Sequence, residues 1–195
     1  MAACTSGQRR ATLRLLAWPW LALLPVLPVA ALAQGDAATL ERRVKAAFLY
    51  KFVGYIAWPE TALAQHDTPV VIAVMGDDAL AAELAEVVNG RTMDGRPLAV
   101  RRLRDGEPLA GIHVLFLARK ENARLPALAR ASSGLPLVLV SEAEGALDQG
   151  STINFVVTDG RVKFDIAPDA AEKRGVKLSS RLLTVAQRVR PANVQ

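Results

Sequence analysis

"PVVIAVMGDDALAAELAEVVNG", residues 69–90, contains one strand and one helix in a single stretch. The run from Pro69 to Met75 is apolar throughout and rich in Val and Ile, with no polar residue reserved for a wet face. It reads as a strand covered on both sides. Gly76 ends the run, Asp77 can cap the helix that follows, and Asn89-Gly90 stops it. A buried strand passing directly into a capped helix is the unit from which parallel sheets are built.

Working outward, the same alternation continues. "PLAVRRL" from Pro97 to Leu103, "HVLFLA" from His113 to Ala118 and "PLVLV" from Pro136 to Val140 read as further strands, with a helix spanning Glu121 to Ala131. No repeat or low-complexity linker interrupts the series. The fold class is therefore α/β: an open, mostly parallel, doubly wound sheet flanked by helices.

The segment "INFVVTDGRVKFDI", Ile153 to Ile166, breaks the rhythm. Asp-Gly is a favoured pair for a two-residue hairpin turn. With Thr158-Asp159-Gly160-Arg161 as that turn, Val157 faces Val162, Phe155 faces Phe164 and Ile153 faces Ile166. The alternate pairs are Thr158 with Arg161, Val156 with Lys163 and Asn154 with Asp165. One face is apolar and the other mostly polar, which suits an antiparallel hairpin at the sheet border. Beyond it, Pro168 opens a short helix ended by Gly175, and Ser179 caps another carrying Leu182, Leu183, Ala186 and Val189.

Upstream, Asp36 can cap a helix through "LERRVKAAFLYKFVGYIAWPE", closed where Pro59 forces Trp58 out of the α region. Leu40, Val44, Phe48, Phe52 and Ile56 follow one face, and Leu49, Val53, Tyr50 and Tyr55 form a second flank.

Before that helix, Arg9, Arg10 and Arg14 precede an uncharged run from Leu15 to Ala33 that closes on Ala31-Leu32-Ala33. This is the order of a secretory signal peptide, with Pro19, Pro25 and Pro28 arguing against a membrane span. Residues 1–33 are read as the leader, cleaved near Ala33, and residues 34–195 as a single domain of 162 residues. Loss of the leader removes three basic residues and the only cysteine, Cys4, leaving 21 basic residues against 19 acids, a net charge of +2. Such a balance does not support nucleic-acid binding. An exported chain without a thiol must rely on its core.

Catalytic motifs are sparse. His66 and His113 are the only histidines, too few for a metal site built from three or four convergent ligands. No Ser lies in a nucleophile elbow, and no phosphate-binding or dinucleotide-binding glycine loop occurs in the mature chain. Ser179 or Ser180 as a hydrolase nucleophile competes with the capping role of Ser179, and Asp77-Asp78 as a phosphoacceptor pocket competes with simple helix capping. The expectation is no catalytic residue, no metal and no cofactor. Doubly wound sheets do bind ligands beyond the carboxyl ends of their strands. There the sequence brings Asp77, Asp78, Arg119, Lys120 and Glu142, a candidate pocket for a small ligand, with Arg119 and Lys120 suited to an anion.

"VKAAFLYKFVGYIAWPE" and "INFVVTDGRVKFDIAPDAAEKRGVKLSSRLL" together resemble the YfiR family of small exported bacterial proteins. The resemblance implies a periplasmic repressor that binds the periplasmic sensory domain of an inner-membrane diguanylate cyclase and so lowers cyclic di-GMP signalling and biofilm formation. It implies release by an envelope signal or by an outer-membrane or envelope protein that sequesters the repressor. The chain departs from familiar members in carrying no cysteine after its leader. Aromatic and Arg residues anchor interfaces. The partner-binding candidates are accordingly Tyr50, Lys51, Tyr55 and Trp58 on the first helix, with Arg161, Lys163, Arg174, Lys177 and Arg181 around the hairpin. An exposed hairpin edge also suits a homodimer.

Overall fold

A computed structural model describes residues 30–63 and 68–190, with side chains from residue 35 onward. Most of the expected leader, His66 and the C-terminal five residues lie outside the described residues. The strands are β1 (Ile56–Ala57), β2 (Val70–Met75), β3 (Thr92–Met93), β4 (Arg96–Arg102), β5 (Val114–Leu117), β6 (Val138–Ser141), β7 (Ile153–Thr158), β8 (Arg161–Ile166), β9 (Lys177–Leu178) and β10 (Arg188–Val189). The α-helices are α1 (Ala30–Val53), α2 (Asp78–Val88), α3 (Leu125–Ala131), α4 (Pro168–Glu172) and α5 (Ser180–Val185).

Eight strands form one sheet in the order β10-β8-β7-β6-β5-β2-β4-β3. The central five, β7-β6-β5-β2-β4, are parallel, while β8 pairs antiparallel to β7 and parallel to β10, and β3 pairs antiparallel to β4. The chain leaves β2 for β4 on one side and then crosses back to β5 on the other, so the order reverses between β2 and β5. The fold class is the expected one, an open α/β sheet with an antiparallel hairpin near its border.

Alternation along the strands assigns the two faces. Ile72, Val74, Val114, Phe116, Val138, Val140, Ile153, Phe155, Phe164 and Ile166 join Leu49, Phe52, Leu80 and Leu84 of α1 and α2 in one core cluster. Ala73, Met75, Leu115, Leu117 and Leu139 pack on the opposite side with Leu125 of α3 and with Leu103, Leu109, Ala143 and Ala146 of the loops. Phe52 lies at the centre of an aromatic group, stacked on Phe155 with centroids 5.8 Å apart and edge-on to Phe164 at 5.0 Å.

The hairpin register is the one read from Asp-Gly, from Ile153 opposite Ile166 to Thr158 opposite Arg161. Asp159 and Gly160 both have positive φ, 53° and 69°, the conformation that a tight hairpin turn demands and that Asp-Gly tolerates. Asp77 caps α2 by accepting the Leu80 N–H at 2.9 Å, and Ser179 caps α5 by accepting the Leu182 N–H at 3.3 Å.

Several boundaries differ from the sequence reading. Helix α1 starts before Asp36 and stops at Val53, because the chain turns at Gly54-Tyr55 into β1, which pairs with β9. Leu40 is 64% exposed and so is not part of the buried face. The stretch Arg119–Arg124 is a 3-10 turn, and the α-helix begins only at Leu125, just before Pro126. The last helix ends at Val185, and Val189 belongs to β10, which covers β8 at Asp165 and Ile166. The hairpin is therefore next to the border rather than the border itself.

Candidate functional site

Two regions gather most of the candidate residues, one at the carboxyl ends of inner strands and one around the separate β1–β9 ladder. At the carboxyl ends of β2, β4 and β5 lies a cleft of about 290 Å3 lined by Gly76, Asp78, Arg102, Arg104, Asp105, Lys120, Glu121 and Arg124. This is beside the reversal of strand order, where the sheet rule places a ligand. Of the five expected ligand residues, Asp78 and Lys120 line it. Asp77 is engaged as the α2 cap. Most of the charge here is internally matched: Arg102 lies 3.7 Å from Asp78, and Arg124 pairs with Asp105 and, at 2.9 Å, with Glu121. The hydrogen bond and charge of Arg124 hold the Asp105 carboxyl below its ordinary range.

Glu142 sits beyond this cleft and has a different employment. Its carboxylate accepts the Nζ–H of Lys45 and, at 3.0 Å, the backbone N–H of Arg119. Lys45 is also bonded to Glu41 one turn earlier. Lys45 is only 8% exposed. Burial disfavours its charged form, yet the hydrogen bonds and charges of Glu142 and Glu41 outweigh burial and raise its pKa. The sequence reading made Glu142 a ligand residue; in the fold it joins α1 to the end of β6, and Lys45 was not singled out at all. The two are 97 residues apart, and no local pattern connects them.

The partner candidates divide. The ladder of β1 with β9 sets Ala57 beside Lys177 and Ile56 beside Leu178, and the Ser179 N–H donates to the Tyr55 carbonyl at 2.9 Å. Lys51, Tyr55 and Lys177 are exposed in this neighbourhood, and so is Arg181 on α5. Tyr50 is half-buried, with the Arg91 guanidinium 4.8 Å above its ring. Trp58 turns towards the sheet, edge-on to His113 at 5.7 Å, and its Nε1 is buried without a hydrogen-bond partner among the described residues. Arg161 and Lys163 occupy the polar face of the hairpin, on the side of the sheet away from α1 and α2. Arg174 is a correction: it is 8% exposed and points inward, donating to Ser132 Oγ at 3.2 Å and to the carbonyls of Ala170 and Gly150 at 2.8 and 3.1 Å. Five residues of helix and turn after Pro168 place it against α3, which the charge pattern alone does not show.

His113, at the start of β5, accepts the Val71 N–H at Nδ1, 3.1 Å away, which requires that nitrogen to be unprotonated. Burial lowers its pKa, opposed by the Ala62 carbonyl and assisted by Arg96. Among the described residues there is no group of three side chains able to hold a metal ion, and no helix long and apolar enough to cross a membrane.

What these features define is an open α/β sandwich whose N-terminal helix packs its phenylalanines on the C-terminal hairpin and is tied by the β1–β9 ladder to the segment between α4 and α5. The chain belongs to the YfiR/HmsC-like family, whose model matches residues 42–187, from within α1 to the residue before β10. No curated protein matches it. Membership suggests a periplasmic regulator of a diguanylate cyclase rather than an enzyme.

Proposed function

We propose that this chain is a periplasmic repressor that binds the periplasmic sensory domain of an inner-membrane diguanylate cyclase and holds it in a low-activity state. The observation that carries the reading is the family match, which takes in both sequence-distant parts, α1 and the hairpin with α4 and α5. The surface favoured for the cyclase is formed by Lys51, Tyr55, Lys177 and Arg181, where an exposed aromatic ring is surrounded by positive charge. Such a patch suits an acidic partner face, since aromatic and Arg anchors with complementary charge set affinity and register. An effector or sequestering envelope protein relieves repression only if it binds the free repressor better than the bound one. A second copy of the chain could pair along the part of β8 that β10 leaves uncovered, residues 161–163.

The test is genetic and biochemical together. Deleting the gene should raise cyclic di-GMP, and the mature protein should co-purify with a membrane cyclase through that enzyme's periplasmic domain. Unchanged nucleotide levels in the deletion strain, with no cyclase recovered, would sink the proposal.

A further inference from the structure

Further along the same helical segment that lines the strand-end cleft lies a larger one of about 660 Å3, between the end of α3, the 147–150 loop and α4. Its lining includes Arg130, Lys173, Arg174 and Arg190, against Asp148 and Asp169. Arg190 and Asp148 satisfy each other with a 2.6 Å contact. That leaves three cations and one carboxylate with no ion pair among the described residues.

Arg174 is the unusual member. A guanidinium as buried as this one normally meets a carboxylate, because a desolvated charge is costly unless an opposite charge is near. Among the described residues its hydrogen-bond partners are the Ser132 hydroxyl and the Ala170 and Gly150 carbonyls, all neutral. Dipoles of this kind engage three of its five N–H groups and leave its positive charge without a paired carboxylate among the described residues. Burial accordingly pushes its pKa down. Arg130 and Lys173 are exposed on the two sides of the same cleft and add to its positive field. Asp169 contributes the second irregularity: its Oδ1 is buried and accepts no hydrogen bond from the described residues. A buried acceptor without a donor is itself a cost that a bound group can remove. The 147–150 loop is held tightly to α3, since a Cβ at Gly150, where φ is +99°, would come 2.8 Å from the Ala129 Cβ. The wall of the cleft is thus fixed by packing.

We propose that this cleft binds a small organic oxyanion that also carries a hydroxyl donor. Arg174, Arg130 and Lys173 supply the charge for the anionic group, and Asp169 accepts from the donor. The chemistry is shared by phosphomonoesters and by hydroxycarboxylates. The inference does not rest on the cyclase reading, because it is measured on the purified protein alone, with no cyclase present.

The experiment is thermal unfolding of the purified protein with sn-glycerol 3-phosphate in one arm and malate in the other, sodium chloride at equal ionic strength being the reference. At about a hundred times the dissociation constant, the binding arm should raise Tm by about 5–10 °C over chloride. Arg130→Ala with Lys173→Ala, both exposed and outside the core, should abolish the rise, whereas Arg119→Ala with Lys120→Ala, outside this cleft, should keep it. Arg174 stays intact because it also joins α3 to α4. Which arm responds separates phosphate from carboxylate recognition. The proposal is overturned if neither compound exceeds chloride, or if the rise survives in the Arg130→Ala, Lys173→Ala protein.

Discussion

Lys45 supplies the ion pair between α1 and the residue after β6, beside the apolar contacts of the core, and so separates charge from packing. Replacing it with Met leaves Glu142 buried against the Arg119 N–H alone. Breaking one partner of such a pair should cost about 3 kcal/mol in urea unfolding, and removing both charges with Lys45→Met and Glu142→Leu should restore much of it. If the double variant is as weak as the single one, the pair is valuable for its attraction rather than for avoiding an orphaned charge. The pH dependence has a definite sign. A lysine whose folded pKa is raised above 10.5 contributes stability below that pH and loses it as pH rises through the folded value. His113 acts in the other direction: burial keeps its ring neutral in the fold, so its contribution is present above the unfolded value near about 6.5 and is lost as pH falls. Stability should therefore drop between pH 7 and pH 5, and His113→Asn should flatten that slope; an unchanged slope would assign the loss to other groups.

Among the elements, the hairpin was the most legible, and the reason is local. Two residues, Asp159 and Gly160, fix the turn, and a period of two then determines all six facing pairs. Gly160→Val should cost about 1–2 kcal/mol, because an open site with φ of 69° offers room but strains any residue with a Cβ. A melting temperature equal to the parent's would show that the turn relaxes to another type. The long helix was less legible at both ends. Its apolar step of four continues to Ile56, but Gly54 and the pairing of Ile56 with Leu178, far away in sequence, convert the last turn into a strand. Two-residue strands such as β1, β9 and β10 carry no periodicity to read. Within α1 the position that matters most is Phe52, 1% exposed and in contact with the rings of Phe48, Phe155 and Phe164. Phe52→Ala should lower stability by about 3–5 kcal/mol, measured by denaturant midpoint. A loss under about 1 kcal/mol would mean that Phe48 swings in to fill the space.

For the molecule as a whole, the candidate residues were legible as types and poorly legible as places. Arg174 and Glu142 were read as surface chemistry because charge in a loop or after a helix is usually solvated, and only the assembled layers show Arg174 buried and Glu142 half-buried against Lys45. Tyr55 and Lys177 illustrate the opposite case: 122 positions separate them in sequence, and the β1–β9 ladder brings them within two register positions of each other, Lys177 opposite Ala57 and Ser179 bonded to Tyr55. That adjacency leads to a prediction on the proposed repressor complex. Tyr55→Ala with Lys177→Glu removes an exposed ring and reverses a charge, while the backbone bond from Ser179 to the Tyr55 carbonyl is kept. Exposed substitutions of this kind should leave stability within about 0.5 kcal/mol of the parent. If the patch is the cyclase contact, the dissociation constant for the isolated periplasmic domain should rise at least about tenfold, the ring loss showing in a faster off-rate and the charge reversal in a slower, more salt-sensitive on-rate. Arg161→Glu with Lys163→Glu, on the far face of the hairpin, should leave both rates unchanged. The reverse pattern, with the hairpin variant weakened and the Tyr55 variant intact, would move the contact to the other side of the sheet, because one rigid partner surface cannot touch both faces at once.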